Sequence, residues 1–516
     1  MEPDAATYAI ISMEMLDRAD FEITARGLDW LDKPHFPFWI TAISLKIFGV
    51  NNFGYKLPAL LFTILGAIYT FRFAKHHYSI KHGYLAVIIL LTSLHLILAN
   101  NDVRAEPFLL GQTIFSLYYF SIFLDKRRWK DLLLGSLGLA ALMMTKGLFT
   151  IIPVTTAIFF HLLYYKDWKN ILDWRWIAAG FATIIFMSPV LYSYYLQFDL
   201  HPEKIIFGQS NVSGIKFFFW DSQWGRFSNS GPIQGQGDPF FFIHTMLWAF
   251  APWAFLLYFG LYQLIKGLVR KTFKGELFTF FGFIIIIIIF SISKFQLPHY
   301  VVPLFPLLAV FTANTIISSF DSAKFFLWFK SINSIIIALL ILAVGLLQYY
   351  FNGSWLKWDT TIIGGVSILL AFVSFRSSSK LVSLVYPPSL IILFCMYFMN
   401  REFYPGLMKY QSESEVAIYI KKHKIPVDDF TIFGRNVWVT DFYLHNTVPV
   451  SSSISQLNNK YVFCNDAGLE EIRKATLKFE IVQTFHDFHV TTLNATFINR
   501  ETRNASLQNN YLLLVE

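Results

Sequence analysis

The segment Leu277–Ile292 reads LFTFFGFIIIIIIFSI, and the polar run Ser293–Tyr300 follows it at once. An α-helix crosses the hydrocarbon core of a bilayer with roughly 20 mainly apolar residues, so such a segment is a candidate membrane span. The chain has 516 residues, of which 55% are hydrophobic and 15% are charged. Barrel strands would alternate apolar and polar positions, so the sequence predicts a polytopic α-helical membrane protein. About twelve spans are expected, near residues 54–74, 83–99, 105–123, 131–145, 148–165, 175–196, 241–265, 277–292, 299–318, 325–350, 359–375 and 381–400.

Basic residues mark every second loop between these segments, and short loops rich in lysine and arginine face the cytoplasm. The apolar stretch Leu132–Tyr165 has basic flanks at both ends, which predicts a hairpin that turns at Thr145–Gly147. The net charge of +8 reflects this bias rather than a nucleic-acid surface. The remaining segments, expected on the outer side, are 1–53, 100–104, 197–240, 293–299 and the tail after residue 400.

The composition divides the chain into three domains. Residues 1–53 form an outer catalytic loop with an amphipathic surface helix, and residues 54–402 form the transmembrane domain with its outer loop 197–240. Residues 403–516 form an extracytoplasmic soluble α/β domain, because the apolar runs there shrink to strand length. Helical spacing is expected for Glu413–Lys422, and strands are expected for 430–433, 461–464, 479–485 and 511–515.

The first outer segment, residues 1–53, is rich in polar and carboxylate side chains. Residues Ala5–Ala19 have helical periodicity, and Asp4 and Tyr8 share one face of that helix. An apolar opposite face would let the helix lie on the membrane surface and hold Asp4 at the interface, whereas a helix N-cap is the alternative role for Asp4. No span or cleavable signal precedes this segment, so a first transmembrane helix is expected to be missing.

Two prolines, Pro34 and Pro37, give the segment Trp30–Trp39 an extended or kinked path. Lys33 is thereby held at a defined place beside Asp32, among aromatic residues that suit a membrane interface. A lysine near lipid headgroups can bind a lipid phosphate as a point charge. The alternative is a lysine that only extends its ammonium from the membrane edge into water.

Three further outer loops bring ionisable side chains to the same side of the membrane. Glu106 would sit at the membrane boundary, where a carboxylate suggests a functional site, and an ion pair with Arg104 is the structural alternative. In the loop 197–240, Arg226 has the planar fork that binds phosphate through two hydrogen bonds. The loop after the isoleucine-rich segment offers Lys294, His299 and Tyr300.

In their order, these motifs resemble the GT-C superfamily glycosyltransferases of family 39, which include protein O-mannosyltransferases and the lipid A aminoarabinose transferase. The chain departs from the common pattern Asp-Glu-x-Arg-Tyr with Asp4-Ala5-Ala6-Thr7-Tyr8, and it has Asp32 and His35 where close relatives of the lipid A enzyme have glutamate and proline. The matching elements, spread over residues 2–310, are Asp4-x-x-x-Tyr8-Ala9, Met15, Asp32-Lys33-Pro34, Phe48-Gly49, Leu57-Pro58, Arg104-Ala105-Glu106, Thr145-Lys146-Gly147-Leu148, Arg226-Phe227 and Ser293-Lys294 with Leu297 through Pro303.

The resemblance implies an integral enzyme of the bacterial inner membrane that has the GT-C fold. Such an enzyme takes a sugar from a polyprenyl-phosphate donor and transfers it with inversion to lipid A, another glycolipid or a protein on the outer face. The lipid-linked sugar is a co-substrate, and no metal site or further cofactor is assigned. The resemblance implies Asp4 and Glu106 for catalysis, Lys33 and Arg226 for the donor phosphate, and Tyr8 and Tyr300 for the substrate pocket. Their places on the outer loops add Lys294 to the expected phosphate ligands, and Asp32, Arg104 and His299 to the expected pocket.

A polytopic transporter or lipid flippase is the alternative function, since it would also have many spans. Many transporters carry inverted repeats, or broken helices around a charge at the membrane midplane. The segments expected to span the membrane here are nearly free of charge, and the cations and carboxylates gather on outer loops instead. This distribution favours an enzyme.

Overall fold

The computed structural model of the chain describes residues 3–222, 236–435 and 438–516. Within them, seven helices are long and apolar enough to cross a membrane, and the bent pair Ile80–Leu91 and Leu94–Asn101 raises the number to eight. Shorter apolar helices occupy other predicted segments, among them Phe278–Ile292. The prediction of a polytopic α-helical protein with a small C-terminal sheet domain is confirmed.

The bend in the second of the predicted segments is 55° and lies at Thr92–Ser93. The hydroxyl of Thr92 donates to the carbonyl of Ile88 at 2.6 Å, and the hydroxyl of Ser93 donates to the carbonyl of Ile89 at 2.7 Å. Such bonds compete with the backbone ladder and bend helices. The Thr92 hydroxyl also accepts a hydrogen bond from the indole of Trp253 at 3.0 Å, which holds the bend against a later helix.

The chain divides into two compact units, one formed by residues Glu14–Ser331 and the other by the residues up to Met13 together with Ile332–Glu516. In the first unit the helices are Phe36–Phe48, Asn52–His77, Ile80–Leu91, Leu94–Asn101, Glu106–Lys126, Trp129–Lys146, Ile152–Tyr164, Trp168–Ile171, Arg175–Tyr194, Gly214–Lys216, Phe241–Ala249, Ala254–Val269, Phe278–Ile292 and Phe305–Ser318. The helices Pro3–Arg18 and Ala323–Leu347 run across the division along the chain.

Small residues let two membrane helices of the first unit approach closely. Gly66 of the helix Asn52–His77 lies against Gly111 of the helix Glu106–Lys126, and a Cβ at Gly111 would overlap the carbonyl of Phe62. Small residues serve this purpose between membrane helices, where packing rather than the hydrophobic effect drives association. This contact fixes the position of the helix that begins at Glu106.

The predicted hairpin turn at Thr145–Gly147 is present, because the helix Trp129–Lys146 ends there. Gly147 has φ +95°, a conformation that side chains with a Cβ rarely adopt, and the chain continues through Leu148–Ile151 into the helix Ile152–Tyr164. The Thr145 hydroxyl accepts a hydrogen bond from the Gln112 amide at 2.9 Å, which fixes the end of this helix against the preceding one.

The first helix, Pro3–Arg18, differs from the expected surface helix. Nearly all of its residues from Ala5 to Met15 are buried, and these include the polar side chains of Ser12 and Glu14. A helix on a membrane surface would keep one polar face in water, so this helix is enclosed by protein instead. Its polar groups are satisfied internally, as buried polar groups must be.

The Glu14 carboxylate anchors a short hairpin formed by β1, Thr24–Ala25, and β2, Leu28–Asp29. It accepts hydrogen bonds from the Thr24 hydroxyl at 2.6 Å and from the backbone N–H groups of Arg26 at 2.5 Å and Gly27 at 3.2 Å. The hairpin precedes the segment that carries Lys33, so this anchor fixes where that segment starts.

The second unit contains the helices Trp358–Phe375 and Lys380–Phe398 and a C-terminal sheet. The sheet has the order β4-β3-β5-β7-β6, in which β3 pairs parallel to β4 and β5 while β7 pairs antiparallel to β5 and β6. The four predicted strands and the predicted helix are all present. The strands are β3 Phe430–Phe433, β4 Val450–Ser451, β5 Lys460–Asn465, β6 Phe479–Asp487 and β7 Gln508–Val515, and the other helices are Tyr404–Leu407, Ser412–Lys422, Val439–Leu444, Asp466–Lys474 and Ala495–Ile498.

Candidate active site

A buried ion pair lies where two membrane helices of the first unit meet. Glu106 is the first residue of its helix and is 2% exposed, and its Oε1 accepts a hydrogen bond from the Nζ of Lys146. Arg104, the partner that the sequence offered as an alternative, instead places its Nε 3.3 Å from Asp102 Oδ2. A buried charge of this kind needs a partner, and the positive end of the helix adds to the stabilisation of the Glu106 carboxylate.

Two residues of the segment Pro298–Leu304 complete this cluster. His299 places its Nε2 3.7 Å from Glu106 Oε1, and the ring of Tyr300 lies under Lys146 with its centroid 4.5 Å from Nζ. An ammonium over an aromatic face is attracted by the negative charge density of the ring. The structure thus brings the predicted residues Glu106, His299 and Tyr300 together around Lys146.

A small apolar cavity of about 30 Å³ opens beside this cluster. Glu106, Lys146 and Tyr300 contribute the polar groups at one end. The remaining lining is mainly hydrocarbon or aromatic, although Thr113 and Thr150 add two hydroxyl groups. The apolar side chains are those of Leu109, Leu142, Phe149, Pro153, Ile286, Phe290, Pro303 and Leu304. A cavity with this distribution suits a ligand that has an apolar chain and a charged head.

A second, more polar cavity adjoins the first and shares Lys146 and Phe149 with it. Asp32 and Lys33 line it, and their side chains form an ion pair at 2.7 Å. The Lys33 side chain is only 12% exposed, so it does not extend into bulk water as a membrane-edge lysine would. The predicted pair Asp32 and Lys33 therefore adjoins the Glu106 cluster through Lys146.

Buried aromatic and imidazole rings form the wall behind this polar cavity. Tyr194 lines the cavity and is 1% exposed, and its ring meets that of His35 edge-on at 4.7 Å. His35 follows Pro34 directly and is fully buried, and burial lowers the pKa of His35 to about 3. His35 is thus neutral at any physiological pH and adds no charge to the site.

The other predicted site residues lie elsewhere. Lys294 is exposed, and it lines neither of the two cavities in the part of the chain that the structure describes. Asp4, which is exposed in the first turn of its helix, and Tyr8, which is buried, belong to the other compact unit. Arg226 lies outside the described residues.

Lys146 is the central residue of the site, and the sequence indicated it only as part of a turn. The signal was present, since a lysine in the middle of the apolar stretch Leu132–Tyr165 would be costly without a partner. The same positive-inside argument that placed Glu106 on the outer side also places Thr145–Gly147 there. Together these two facts predict that Lys146 and Glu106 lie on the same side of the membrane, but they do not identify the two residues as a pair.

Comparisons with known proteins identify relatives of this chain. A family model described as dolichyl-phosphate-mannose-protein mannosyltransferase matches residues 32–193, which contain Lys33, Glu106 and Lys146. The undecaprenyl phosphate-α-4-amino-4-deoxy-L-arabinose arabinosyl transferase of Serratia proteamaculans is 25% identical over 406 residues, covering 73% of this chain and 68% of that protein. Its counterpart in Shewanella sediminis is 25% identical over 512 residues, covering 93% of this chain and 88% of that protein.

The crystal structure of ArnT from Cupriavidus metallidurans bound to undecaprenyl phosphate has the same fold. It superposes with a TM-score of 0.75 at 16% identity and covers 99% of this chain and 93% of ArnT. The fold and these matches support an integral membrane glycosyltransferase of the GT-C superfamily. Within that class, it is the aminoarabinose transferases that the chain resembles over most of its length.

Proposed function

We propose that the protein takes a sugar from a polyprenyl-phosphate donor and transfers it with inversion to an envelope acceptor on the outer face of the bacterial inner membrane. The observation that carries this proposal is the place of Lys146. It stands at the junction of an apolar cavity and a polar cavity, with Lys33 in the polar one. A polyprenyl-phosphate sugar has the same order of parts: hydrocarbon, phosphate, sugar.

The first isoprenoid units of the donor would enter along the apolar cavity, which must widen to hold them. Its hydrocarbon lining offers no hydrogen bonds along most of its length, as an isoprenoid requires, and its polar end is formed by Lys146 and Tyr300. The phosphate would then lie between Lys146 and Lys33, and the sugar would extend into the polar cavity beside Asp32. The aminoarabinose transferase relatives are named for an undecaprenyl-phosphate donor, which supports this orientation.

The two lysines would act on the leaving group. The acceptor oxygen attacks the anomeric carbon, the bond from that carbon to the phosphate oxygen breaks, and polyprenyl monophosphate leaves with additional negative charge. Lys146 and Lys33 would stabilise this charge as it develops, and a donor of this kind in a pre-organised site is worth roughly 3–4 kcal/mol. The Glu106 carboxylate would position Lys146 rather than act as a base, because the ammonium already occupies it.

Asp4 remains the carboxylate proposed to act on the acceptor, on the strength of the sequence resemblance. If the acceptor is a hydroxyl group, a carboxylate would remove its proton, a contribution of roughly 10²–10⁴ in rate. If the acceptor is a phosphate of lipid A, which is already anionic, Asp4 would position the donor sugar instead. Mass spectrometry of envelope lipids and glycoproteins from cells with and without the gene identifies the acceptor.

The test of the proposed site is donor use by the reconstituted protein. Lys146→Ala and Lys33→Ala should each reduce kcat/KM for an undecaprenyl-phosphate sugar by roughly 10²-fold or more, since each removes a charge from the leaving phosphate. Lys46→Ala is the matched control, because Lys46 is an exposed lysine of the same outer segment and lines neither cavity among the described residues. Unchanged donor kinetics in both cavity variants would refute the phosphate site.

A further inference from the structure

A third cavity, of about 390 Å³, lies in the C-terminal part of the second unit. Its lining includes Glu413, Trp438, the consecutive residues Asp487 and Phe488, and Gln508, which come from four segments of the chain. The volume falls in the range of roughly 300–1,000 Å³ that small-ligand pockets occupy. The donor site described above has no part in this cavity.

The carboxylates of Glu413 and Asp487, which both line the cavity, have different hydrogen-bond partners. Glu413 accepts hydrogen bonds from the N–H groups of Trp438 at 3.2 Å and Val439 at 3.1 Å, and Arg435 lies 3.3 Å from its other oxygen. Both of its oxygens and its charge are thus engaged in the fold. Glu413 therefore shapes the cavity by holding the backbone at Trp438, and it is not the group that a ligand would meet.

Asp487 is engaged at one oxygen only. Its Oδ1 accepts hydrogen bonds from the backbone N–H of Ser412 at 2.9 Å and from the Ser412 hydroxyl at 2.6 Å. Among the described residues no hydrogen bond or ion pair involves its Oδ2, although the carboxylate lines the cavity. A carboxylate oxygen can accept two hydrogen bonds, so Asp487 offers an acceptor to a hydroxyl or amino group of a ligand.

The aromatic part of the cavity is held in place. Phe488 stacks on Phe497 with ring centroids 3.7 Å apart and an interplanar angle of 9°, and its N–H donates to the carbonyl of Tyr410 at 2.9 Å. Trp438 is half-buried and contributes the indole. An indole beside carboxylate and amide acceptors matches a saccharide ring, which has an apolar C–H face and a rim of hydroxyl groups.

The position of the cavity along the chain relates it to the membrane. Gln411 lines it and directly follows Lys380–Tyr410, a segment long and apolar enough to span a bilayer. If this segment spans the membrane with its C-terminal end outside, as the basic loops predict, Gln411 lies near the outer boundary, where the saccharide of an outer-leaflet lipid would also lie. A peptide or a free sugar would have no such restriction, so the placement favours a lipid-anchored saccharide.

We propose that this cavity binds the saccharide headgroup of the glycolipid acceptor, with the sugar face on Trp438 and a hydroxyl or amino group on Asp487. The inference rests on the proposed function, because it supplies the acceptor for the transfer. It assigns acceptor recognition to the C-terminal domain, and donor recognition stays with Lys33 and Lys146.

The test is calorimetric titration of the purified full-length protein with lipid A and with the soluble saccharide left after its acyl chains are removed. Trp438→Ala should weaken binding of both probes about tenfold, the loss that corresponds to one aromatic contact. Asp487→Asn should have a similar effect while it retains the Oδ1 acceptor that Ser412 needs. The matched controls are Trp355→Ala, at a side chain that is 96% exposed, and Asp428→Asn, at another exposed position of the same unit.

Transfer assays with the same variants separate this inference from the proposed function. We expect Trp438→Ala and Asp487→Asn to raise KM for the glycolipid acceptor and to leave KM for the donor unchanged. Equal binding of the saccharide by wild type and both variants, or binding of intact lipid A alone, would overturn the saccharide site. Loss of saccharide binding in these variants, combined with normal donor use by Lys146→Ala, would refute the donor site and leave the saccharide site standing.

Discussion

Glu106 and Lys146 make one another's burial possible. Each charge would be costly alone in this largely apolar environment, and their pairing is supported by the ring of Tyr300 and by His299. The arrangement leaves the Lys146 ammonium at the junction of two cavities, with hydrogen-bonding capacity beyond its bond to Glu106. An anionic ligand is the chemical partner that would use this capacity.

Removing one partner of the pair should therefore cost more than removing both. Glu106→Gln leaves the Lys146 ammonium buried without its counter-charge, and we expect a loss of roughly 3–5 kcal/mol in the free energy of unfolding. The double variant Glu106→Gln with Lys146→Met should recover much of that loss but not the transfer activity. Thermal unfolding of both variants in the same detergent measures the difference. A double variant as unstable as the single one would show that the pair is not what the cluster depends on.

Asp4 provides a test of the catalytic assignment that rests on the resemblance. Asp4→Asn should reduce the rate of transfer to a hydroxyl acceptor by roughly 10²-fold or more, because it removes the carboxylate proposed to activate that hydroxyl. The control is Asp17→Asn, at an exposed position of the same helix. Near-normal turnover of inserted, folded Asp4→Asn protein would exclude Asp4 from the mechanism.

Part of this site was readable from the residues themselves. Lys33 was fixed by Pro34, and Glu106, His299 and Tyr300 stood out as polar residues at the ends of apolar segments. The sequence did not identify Lys146 as the partner of Glu106, because Arg104 is nearer to Glu106 along the chain. Which cation is nearer in space depends on how two helices pack, and this is not visible in either helix alone.

Close packing between neighbouring helices positions the helices that carry Glu106 and Lys146. The helix Asn52–His77 packs on the helix Glu106–Lys126 at Gly66 and Gly111, and the bond between Gln112 and Thr145 fixes the next helix in turn. The ion pair depends on this register, since Glu106 and Lys146 lie at the ends of two helices.

A larger residue at this contact should therefore affect both folding and the site. Gly111→Val would drive a side chain into the Phe62 carbonyl, and we expect poor insertion or a lower unfolding temperature together with weakened donor use. Gly180→Val is the matched control, since a Cβ at Gly180 meets nothing within 4 Å. The test compares the expression level, the unfolding temperature and the KM for the donor between the two variants. Equal behaviour would contradict the packing account.

The length of the apolar segments predicted where the helices lie, but it did not predict the bend in one helix or the burial of another. The bend at Thr92–Ser93 arises from two hydroxyl groups that bond to the preceding turn, and such bonds do not interrupt the apolar pattern. The helix Pro3–Arg18 has an apolar and a polar face in sequence, yet Glu14 on the polar side is buried by its bonds to the 24–27 hairpin. The burial of Glu14 is favourable only because the hairpin, a separate part of the chain, supplies hydrogen-bond donors to its carboxylate.

At the scale of the whole molecule, the topology predicts which side of the membrane each loop occupies. Reporter fusions at Arg128 and at Gly275 should read cytoplasmic, because both positions lie in loops rich in lysine and arginine. A fusion at Ser213, in the loop 197–240, should read on the outer side. An outer-side signal at Arg128 or Gly275 would overturn the orientation on which the outer-face site depends.

The general architecture followed from composition, because long apolar segments leave helices as the only way to satisfy the backbone in lipid. The C-terminal strands were also indicated, since Phe430–Phe433 and Gln508–Val515 carry the residues that fill a buried sheet. The sequence did not indicate the strand order or the cavity at Asp487, because both depend on contacts between segments that are far apart in sequence.

The central claim is that the donor phosphate lies between Lys146 and Lys33. It is tested most directly by an experimental structure of the protein with undecaprenyl phosphate bound. The account predicts phosphate oxygens within hydrogen-bonding distance of both ammonium groups, and an isoprenoid chain that enters the apolar cavity beside Leu109 and Phe290. A phosphate bound away from both lysines, or a chain that leaves this cavity empty, would contradict it.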